Sequence, residues 1–297
     1  MTEKLPTSTL RIGLPSGSLQ NATVELFAKA GFRVRIADRS VFPTFDDPQI
    51  SSVLFRAQEI SRYVCDDIVD CGLTGWDWIV ENGNEKEIVE ICELEYSRAS
   101  ANPAKWVLAV PEESAIRAVE DLNGAIIATE LVNTTRRYFE QKGVKVTVEF
   151  SWGTTEIKAR LLDAIVDITE TGSSIRANNL RIVDTILTST TRFVANRKAW
   201  ETPWKREKME NIAMLLQGAI QARAKVGLKM NVPENKLAEV VSFLPAEKSP
   251  TVSRLADSQW VAVEVILEEK QERELIPRLK RAGATGIITY PLNKVIP

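Results

Sequence analysis

The sequence predicts an α/β protein, a clamp of two sheet-based lobes followed by a small βαββαβ unit. Three observations lead there. Short apolar, β-branched runs alternate with helical stretches of about ten residues over the first two thirds of the chain, the pattern of parallel sheets with helices on both faces. Several strands end in small-residue turns, and in open α/β sheets such strand ends line the ligand crevice. Beyond residue 222 the order becomes β-α-β-β-α-β, the ferredoxin-like unit.

The elements follow in order. Residues 10–14 read as a strand, 15–19 as a turn and 21–30 as a helix that Gly31 stops. Residues 33–36 are a second strand, and the Pro- and Asp-rich stretch 38–50 is a long loop. A strand at 53–57 and a helix at 58–65 precede the run Asp70-Cys-Gly-Leu-Thr-Gly75, a strand end and glycine turn opening a helix at 76–82. Trp76 and Trp78 read as packing residues. Residues 91–96 and 106–110 are strands, 111–119 a helix and 126–129 a strand. Asn133 or Thr134 caps the next helix, which Gly143 ends. Arg136 and Arg137 near its start suit either a phosphate or a solvated helix face. Residues 145–150 alternate as a strand, and Ser151-Trp-Gly-Thr-Thr-Glu156 is another glycine turn opening a helix. Strands at 182–187 and 193–195 lead to one long helix, 203–222, with Met209, Ile212, Leu216 and Ile220 on its apolar stripe. The last unit reads as strand 225–232, helix 234–244, strands 252–255 and 260–267, helix 272–282 and strand 286–290. It has no clustering of catalytic side chains, so an effector-binding or assembly role suits it better than a second active site.

Composition bounds the function. The 297 residues allow two or three domains. Apolar and charged fractions of 44% and 26% place the chain with folded soluble proteins. A net charge of −2 argues against bulk electrostatic binding of nucleic acid. The first ten residues lack an export signal, no apolar run approaches the roughly 18 residues of a membrane span, and a cytoplasmic protein is expected. Cys65, Cys71 and Cys92 are odd in number and lack metal-site spacing, so reduced structural thiols are expected. The chain contains no histidine. That excludes Ser-His-Asp and Cys-His nucleophilic systems and imidazole acid–base catalysis. Chemistry is left to carboxylates, Lys or Arg, backbone dipoles, or a metal held by oxygen.

The most informative stretch is Asp163-Ala-Ile-Val-Asp-Ile-Thr-Glu-Thr-Gly-Ser-Ser-Ile-Arg-Ala-Asn178. Its apolar run is a strand, its second half is helical, and residues 170–174 form the turn between them. There Gly172 permits close backbone approach, the first helix amides lack intrahelical partners, and Thr171, Ser173 and Ser174 add hydroxyl donors, a set suited to phosphate. Asp163, Asp167 and Glu170 suit ribose hydroxyls or a phosphate-bound Mg²⁺. A plain helix cap with solvated acids accounts for the same spacing. Ser16, Gly17 and Ser18 form a second strand-to-helix mouth, equally consistent with a simple βα turn.

Together with Arg11-Ile-Gly-Leu-Pro-Ser-Gly-Ser-Leu19, Asp70-Cys-Gly-Leu-Thr-Gly75 and Ile127-Ala-Thr-Glu-Leu-Val-Asn-Thr-Thr-Arg-Arg-Tyr138, this stretch resembles the ATP phosphoribosyltransferases in their long form. The resemblance spans nearly the whole chain. It implies a two-lobed core like type II periplasmic binding proteins, with lobe I at 1–95 and 190–222, lobe II at 96–189, and a ferredoxin-like regulatory domain at 223–297. It implies a glycosyltransferase that moves phosphoribosyl from phosphoribosyl pyrophosphate to N1 of ATP with Mg²⁺, in the first step of histidine biosynthesis. Residues 170–174 would hold the 5-phosphate, with Asp167 and Glu170 as catalytic acids and Asp163 and Asp167 near the ribose. ATP and pyrophosphate would lie toward Ser16, Gly17, Ser18, Leu19 and Gly75. The family's first motif usually reads Pro-Lys-Gly-Arg-Leu, so Ser16 and Ser18 leave the pyrophosphate's cationic partner unassigned. Histidine would inhibit through a site including Thr251, Gly283 and Gly286, and the chain would form dimers and hexamers. A non-catalytic small-molecule sensor or a silent paralogue on the same clamp is the rival reading.

Overall fold

The computed structural model describes residues 9–96, 103–245 and 249–296. The chain divides into two compact units, Met1–Ala213 and Met214–Pro297. The reading of an N-terminus without an export signal falls largely on residues 1–8, outside the described residues. So does most of the outgoing crossover between lobes near Tyr96.

Within the first unit the chain builds one sheet, leaves it, and returns. β1 (Leu10–Pro15) leads to α1 (Gln20–Ala30), a small ribbon of β2 (Val34–Arg35) and β3 (Thr44–Phe45), β4 (Ile50–Phe55), α2 (Ala57–Cys65), β5 (Cys71–Gly75), α3 (Trp76–Asn82) and β6 (Val89–Leu94). The second sheet is built from β7 (Ala104–Pro111), β8 (Ile126–Thr129), α4 (Val132–Lys142), β9 (Thr147–Phe150), α5 (Thr155–Lys158), β10 (Ala164–Thr169), α6 (Ser173–Ala177) and β11 (Leu180–Ser189). After Thr190 the chain re-enters the first sheet as β12 (Thr191–Ala195), then α7 (Arg197–Glu201) and α8 (Pro203–Gln221). The strand orders are β4-β1-β5-β12-β6 and β11-β7-β10-β8-β9. Both sheets are mixed: β12 runs antiparallel to β5 and β6, and β7 antiparallel to β10 and β11. The paired lobes are thus reciprocal, each sheet with one strand reversed beside its central parallel strands.

Strand patterning explains the cores. Along β7 and β10, Trp106, Leu108, Val110, Ala164 and Val166 feed one apolar cluster, while Val107, Ala109 and Ile165 feed another on the opposite face. Strands buried on both faces read as continuous apolar runs, as these do. In the first sheet Gly72 is required by close approach: a Cβ there would lie 2.5 Å from Ile60 Cγ2 of α2.

Several local expectations change. Residues 111–119 form no α-helix. The Asp121 carboxylate accepts the amide hydrogens of Arg117 and Ala118 at 2.8 and 2.9 Å, satisfying them outside a helix, and only Val119–Leu122 turns, as a 3-10 segment. The loop expected at 38–50 contains β3, which pairs with β2. The strand expected at 145–150 shortens to β9, and Phe150 is half-exposed against Trp152.

The second unit contains the expected β-α-β-β-α-β order: β13 (Lys225–Pro233), α9 (Leu237–Val241), β14 (Thr251–Arg254), β15 (Trp260–Glu268), α10 (Glu269–Arg281) and β16 (Thr285–Pro291). The helix expected at 234–244 is a 3-10 turn, Glu234–Lys236, followed by the short α9. The sheet order β14-β15-β13-β16 is antiparallel throughout and is the ferredoxin-like arrangement. Its core is formed by Leu228, Met230, Val263, Val265, Leu275 and Leu279.

Candidate active site

A cavity of about 660 Å³ lies between the strand ends of the two lobes in the first unit. That volume is in the range of small-molecule and cofactor sites. Lobe I lines it with Ser16, Ser18, Leu19, Arg56, Gly75 and Asp77, and lobe II with Trp106, Glu130, Asp167, Glu170, Thr171, Ser173 and Ser174. The structure therefore brings together most of the residues singled out from sequence.

The lobe II mouth is built by one continuous loop. Thr169 Oγ1 at the end of β10 accepts the Gly172 amide hydrogen at 2.8 Å. Gly172 has φ +73°, the left-handed region a Cβ disfavours, and its Cβ would stand 2.9 Å from Arg176 Nη1. Arg176 Nη2 donates to the Thr171 carbonyl at 3.1 Å, and Thr171 Oγ1 donates to Ser173 Oγ at 3.0 Å. The helix that follows, α6, has five residues. Any grip on an anion here rests on local amides, hydroxyls and Arg176 more than on a macrodipole, which needs aligned turns to accumulate.

Asp167, two residues before Thr169 on β10, is an electrostatically unusual acid. Burial pushes its carboxyl up to about 7, reinforced by the charges of Glu156 and Glu130 and opposed by the Ile168 amide. An acid raised in this way inside a cleft is a candidate functional residue. Asp163 does not join it. Its carboxylate accepts the Ile126 amide hydrogen at 2.8 Å at the opposite end of β10. Asp163 and Asp167 are four residues apart along the extended chain, roughly 13 Å at 3.3 Å per residue. The expectation that Asp163 lies near the ribose is corrected accordingly.

The lobe I mouth is composite. Ser16 follows β1, with its amide hydrogen donated to the Phe55 carbonyl at 2.7 Å. Gly17 has φ +81°, and its missing Cβ leaves space 3.2 Å from Arg56 Nη1. Arg56, the residue between β4 and α2, therefore lays its guanidinium over the Ser16-Gly17-Ser18 turn. Among the described residues no carboxylate forms an ion pair with it. Gly75 is pressed by its own helix, since a Cβ there would lie 2.0 Å from Asp77 Oδ1.

The ATP phosphoribosyltransferase (HisG) family matches residues 56–218, and the HisG C-terminal domain matches residues 222–294. The ATP phosphoribosyltransferase of Chlorobaculum parvum is 57% identical over 290 residues, covering 97% of this chain and 98% of its own. That of Pelotomaculum thermopropionicum is 57% identical over 289 residues, covering 97% and 99%. This chain belongs to the ATP phosphoribosyltransferase family. A solved ATP phosphoribosyl transferase (HisG:HisZ) complex from Thermotoga maritima matches with TM-score 0.59 at 28% identity, over 72% of this chain and 98% of that one. As an ATP phosphoribosyltransferase, the chain condenses phosphoribosyl pyrophosphate with ATP in the first step of histidine biosynthesis, and its C-terminal unit is the long form's regulatory domain.

Against that identity, the structure shows which residues the sequence left unassigned. The sequence alone assigns no role to Arg56, Arg176 or Glu130. The strand expected at 53–57 hides Arg56 within it, whereas the structure ends β4 at Phe55 and starts α2 at Ala57, leaving Arg56 at the same kind of position as the Ser16 turn. Arg176 was findable by its place four residues after Gly172. Arg136 and Arg137 turn elsewhere: Arg137 Nη2 donates to the Val80 carbonyl, and Arg136 Nη2 to the Val148 carbonyl at 3.4 Å. In the regulatory sheet, Thr251 pairs with Glu264 on the edge strand β14, whereas Gly283 and Gly286 flank the start of β16 on the other edge. Three strand spacings separate those edges, roughly 14 Å. Among the described residues, one chain alone does not gather these three into a pocket.

Among the described residues no helix is long and apolar enough to cross a membrane.

Proposed function

We propose that the two mouths divide the substrates of the condensation. The loop 169–174 takes the 5-phosphate of phosphoribosyl pyrophosphate through the amides and hydroxyls of Thr171, Gly172, Ser173 and Ser174. Asp167 and Glu170 stand on the ribose side. Ser16, Gly17, Ser18, Leu19, Gly75 and Arg56 receive ATP and the pyrophosphate, and Arg56 is the cation that the missing basic residues of the first motif left open. The cavity that joins these two sets of residues carries the reading.

Adenine N1 of ATP attacks the ribose C1 with its lone pair, and the C1–O bond to pyrophosphate breaks with the electron pair leaving on oxygen. No strong base is needed before attack, in keeping with a chain without histidine. Positive charge develops on the ring, and an ionised Asp167 stabilises it. Raised to about 7, the carboxyl is already ionised in a substantial fraction of molecules at neutral pH, and positive charge beside it favours that ionised form before the transfer begins. Positioning two polyanions in line contributes on the order of 7–11 kcal/mol in well-oriented reactions.

Mg²⁺ belongs to the same reading. Among the described residues no group of three or more His, Cys, Asp or Glu side chains could hold a metal ion. Mg²⁺ commonly binds through one or two carboxylates, phosphate oxygens and water. The charges of Glu130 and Glu156, which add to burial in raising the Asp167 carboxyl, suit an ion arriving with pyrophosphate, which Glu130 and Asp167 would hold. When bound it supplies charge neutralisation of the leaving group.

The regulatory domain binds histidine as feedback inhibitor through residues including Thr251, Gly283 and Gly286. Their placement on opposite sheet edges supports a site shared between copies of a homo-oligomer, a dimer or hexamer. The test of the whole reading is product analysis with ATP, phosphoribosyl pyrophosphate and Mg²⁺. Equimolar pyrophosphate and N1-phosphoribosyl-ATP are expected, suppressed by added histidine. Absence of both products would favour the silent paralogue.

A further inference from the structure

Helix α3 continues from a strand of lobe I, but its acids serve lobe II. Asp77 and Glu81 lie one helical turn apart and are both buried, 3% and 9% exposed. Asp77 Oδ2 accepts the Trp106 Nε1 hydrogen of β7 at 2.7 Å. The Asp77 amide donates to Ser189 Oγ at 3.0 Å, one residue before the chain crosses back to lobe I. Glu81 Oε1 accepts the Asn133 amide hydrogen at 2.9 Å, and Oε2 accepts the amide and hydroxyl hydrogens of Thr134 at 2.9 and 2.8 Å. Asn133 Nδ2 returns a bond to the Glu81 carbonyl at 3.2 Å, and Arg137 reaches the Val80 carbonyl. Between the two acids, Trp78 meets Trp106 edge-on with ring centroids 5.9 Å apart and packs against the lobe II core.

The expected cap of α4 is absent: Leu131 precedes the helix and no side chain of its own segment caps it. Glu81 takes that place from the other lobe. A carboxylate at a helix N-terminus gains both from unpaired amides and from the dipole of the helix, here eleven residues long. The lobes are therefore joined by a charged cap, an indole-to-carboxylate bond and a tryptophan pair, all on one seven-residue helix.

We infer that α3 is the pin setting the angle between the two substrate mouths, and that Glu81 is a positioning residue for phosphoribosyl transfer, fixing that angle without touching either substrate. The inference rests on the division of substrates between lobes stated above. Its physical basis is that a reaction between two separately held polyanions is limited by alignment, where a misplacement of about 1 Å costs on the order of a hundredfold. Burial holds the Asp77 carboxyl above its usual range, against its bonds from Trp106, Ser189 and Trp78, consistent with a fixed internal joint.

The test uses the full chain with Glu81→Gln, which keeps the shape but places an NH₂ group where one oxygen accepted a hydrogen. Four readouts are taken: the Kd of each substrate alone, kcat at saturation of both, amide exchange over residues 131–137, and Tm. The expected result is both Kd values within about twofold of wild type, kcat lowered about tenfold or more, and faster exchange at Asn133 and Thr134. General destabilisation would instead lower Tm while leaving kcat per active site unchanged, and that outcome overturns the inference. A change in one Kd proportional to the activity loss also overturns it, because Glu81 would then belong to a half-site. Thr134→Val, which removes only the hydroxyl partner, should lower kcat in the same sense but less, and should add little to Glu81→Gln. Full additivity would contradict a shared joint. Failure of the substrate division itself shows separately, as a phosphoribosyl pyrophosphate Kd unmoved by Gly172→Val.

Discussion

The two mouths of the cleft are built on different principles. In lobe II the 169–176 loop is built by one contiguous stretch, with Trp106 and Glu130 added from neighbouring strands: Thr169 fixes the Gly172 amide, Thr171 bonds Ser173, and Arg176 folds back on the Thr171 carbonyl. In lobe I the surface is assembled from three strand ends, with Ser16 after β1, Arg56 after β4, and Gly75 with Asp77 at β5 and α3. A contiguous site stands or falls with its backbone. A composite one loses function piece by piece, as each strand end contributes separately.

That contrast orders the expected effects. Gly172→Val should be the most damaging, because it strains a residue at φ +73° and drives a side chain against Arg176. Steady-state kinetics should show kcat/KM for phosphoribosyl pyrophosphate down roughly 10²–10³-fold. Near-normal values would dissolve the contrast.

Asp167→Asn should lower kcat by roughly 10²-fold through lost electrostatic stabilisation. It should also stabilise the fold in a pH-dependent way. In the native state the carboxyl holds its proton up to about 7, while in the unfolded chain it releases it near 3.8. Between those values the native state binds the extra proton, so wild-type stability falls as pH rises through that window. Melting curves should coincide near pH 4, with the Asn variant melting higher at pH 8. A variant that melts lower at pH 8 would remove the burial argument.

Arg56→Ala should cost roughly 10–100-fold in kcat/KM, the scale of losing a charged hydrogen-bond donor, with partial recovery in Arg56→Lys. Ser18→Ala should be mildest, at most about tenfold for one neutral hydroxyl. If Ser18→Ala proved more harmful than Arg56→Ala, the cation of the lobe I mouth would have been misassigned.

The same contrast explains what the sequence made legible. Strand-helix alternation, a clamp of two sheets and the β-α-β-β-α-β order follow from periodicity and chain order; the returning chain and the regulatory role rest on the family resemblance, and the reversed strand in each sheet was not expected. The 169–174 loop was legible as a structural unit because its parts are neighbours in the chain. Arg56 was not, since it reaches the Ser16 turn from another strand, forty residues away in sequence. Chain proximity suggests that Asp163 joins the loop, but the extended strand β10 carries it to the far end of the sheet. The segment 111–119 was misread because Asp121 satisfies its amides from outside any helix. The α3 joint was invisible for a related reason: Glu81 and Asp77 read as ordinary helix-face acids until the second lobe is placed against them.

Ribose 5-phosphate, which has the sugar and its phosphate but no pyrophosphate, separates the two mouths most directly. Calorimetric titration should show it binding wild type and Arg56→Ala alike, with no detectable binding to Gly172→Val. Binding retained by Gly172→Val, or lost on Arg56→Ala alone, would contradict the assignment of the sugar phosphate to the lobe II loop.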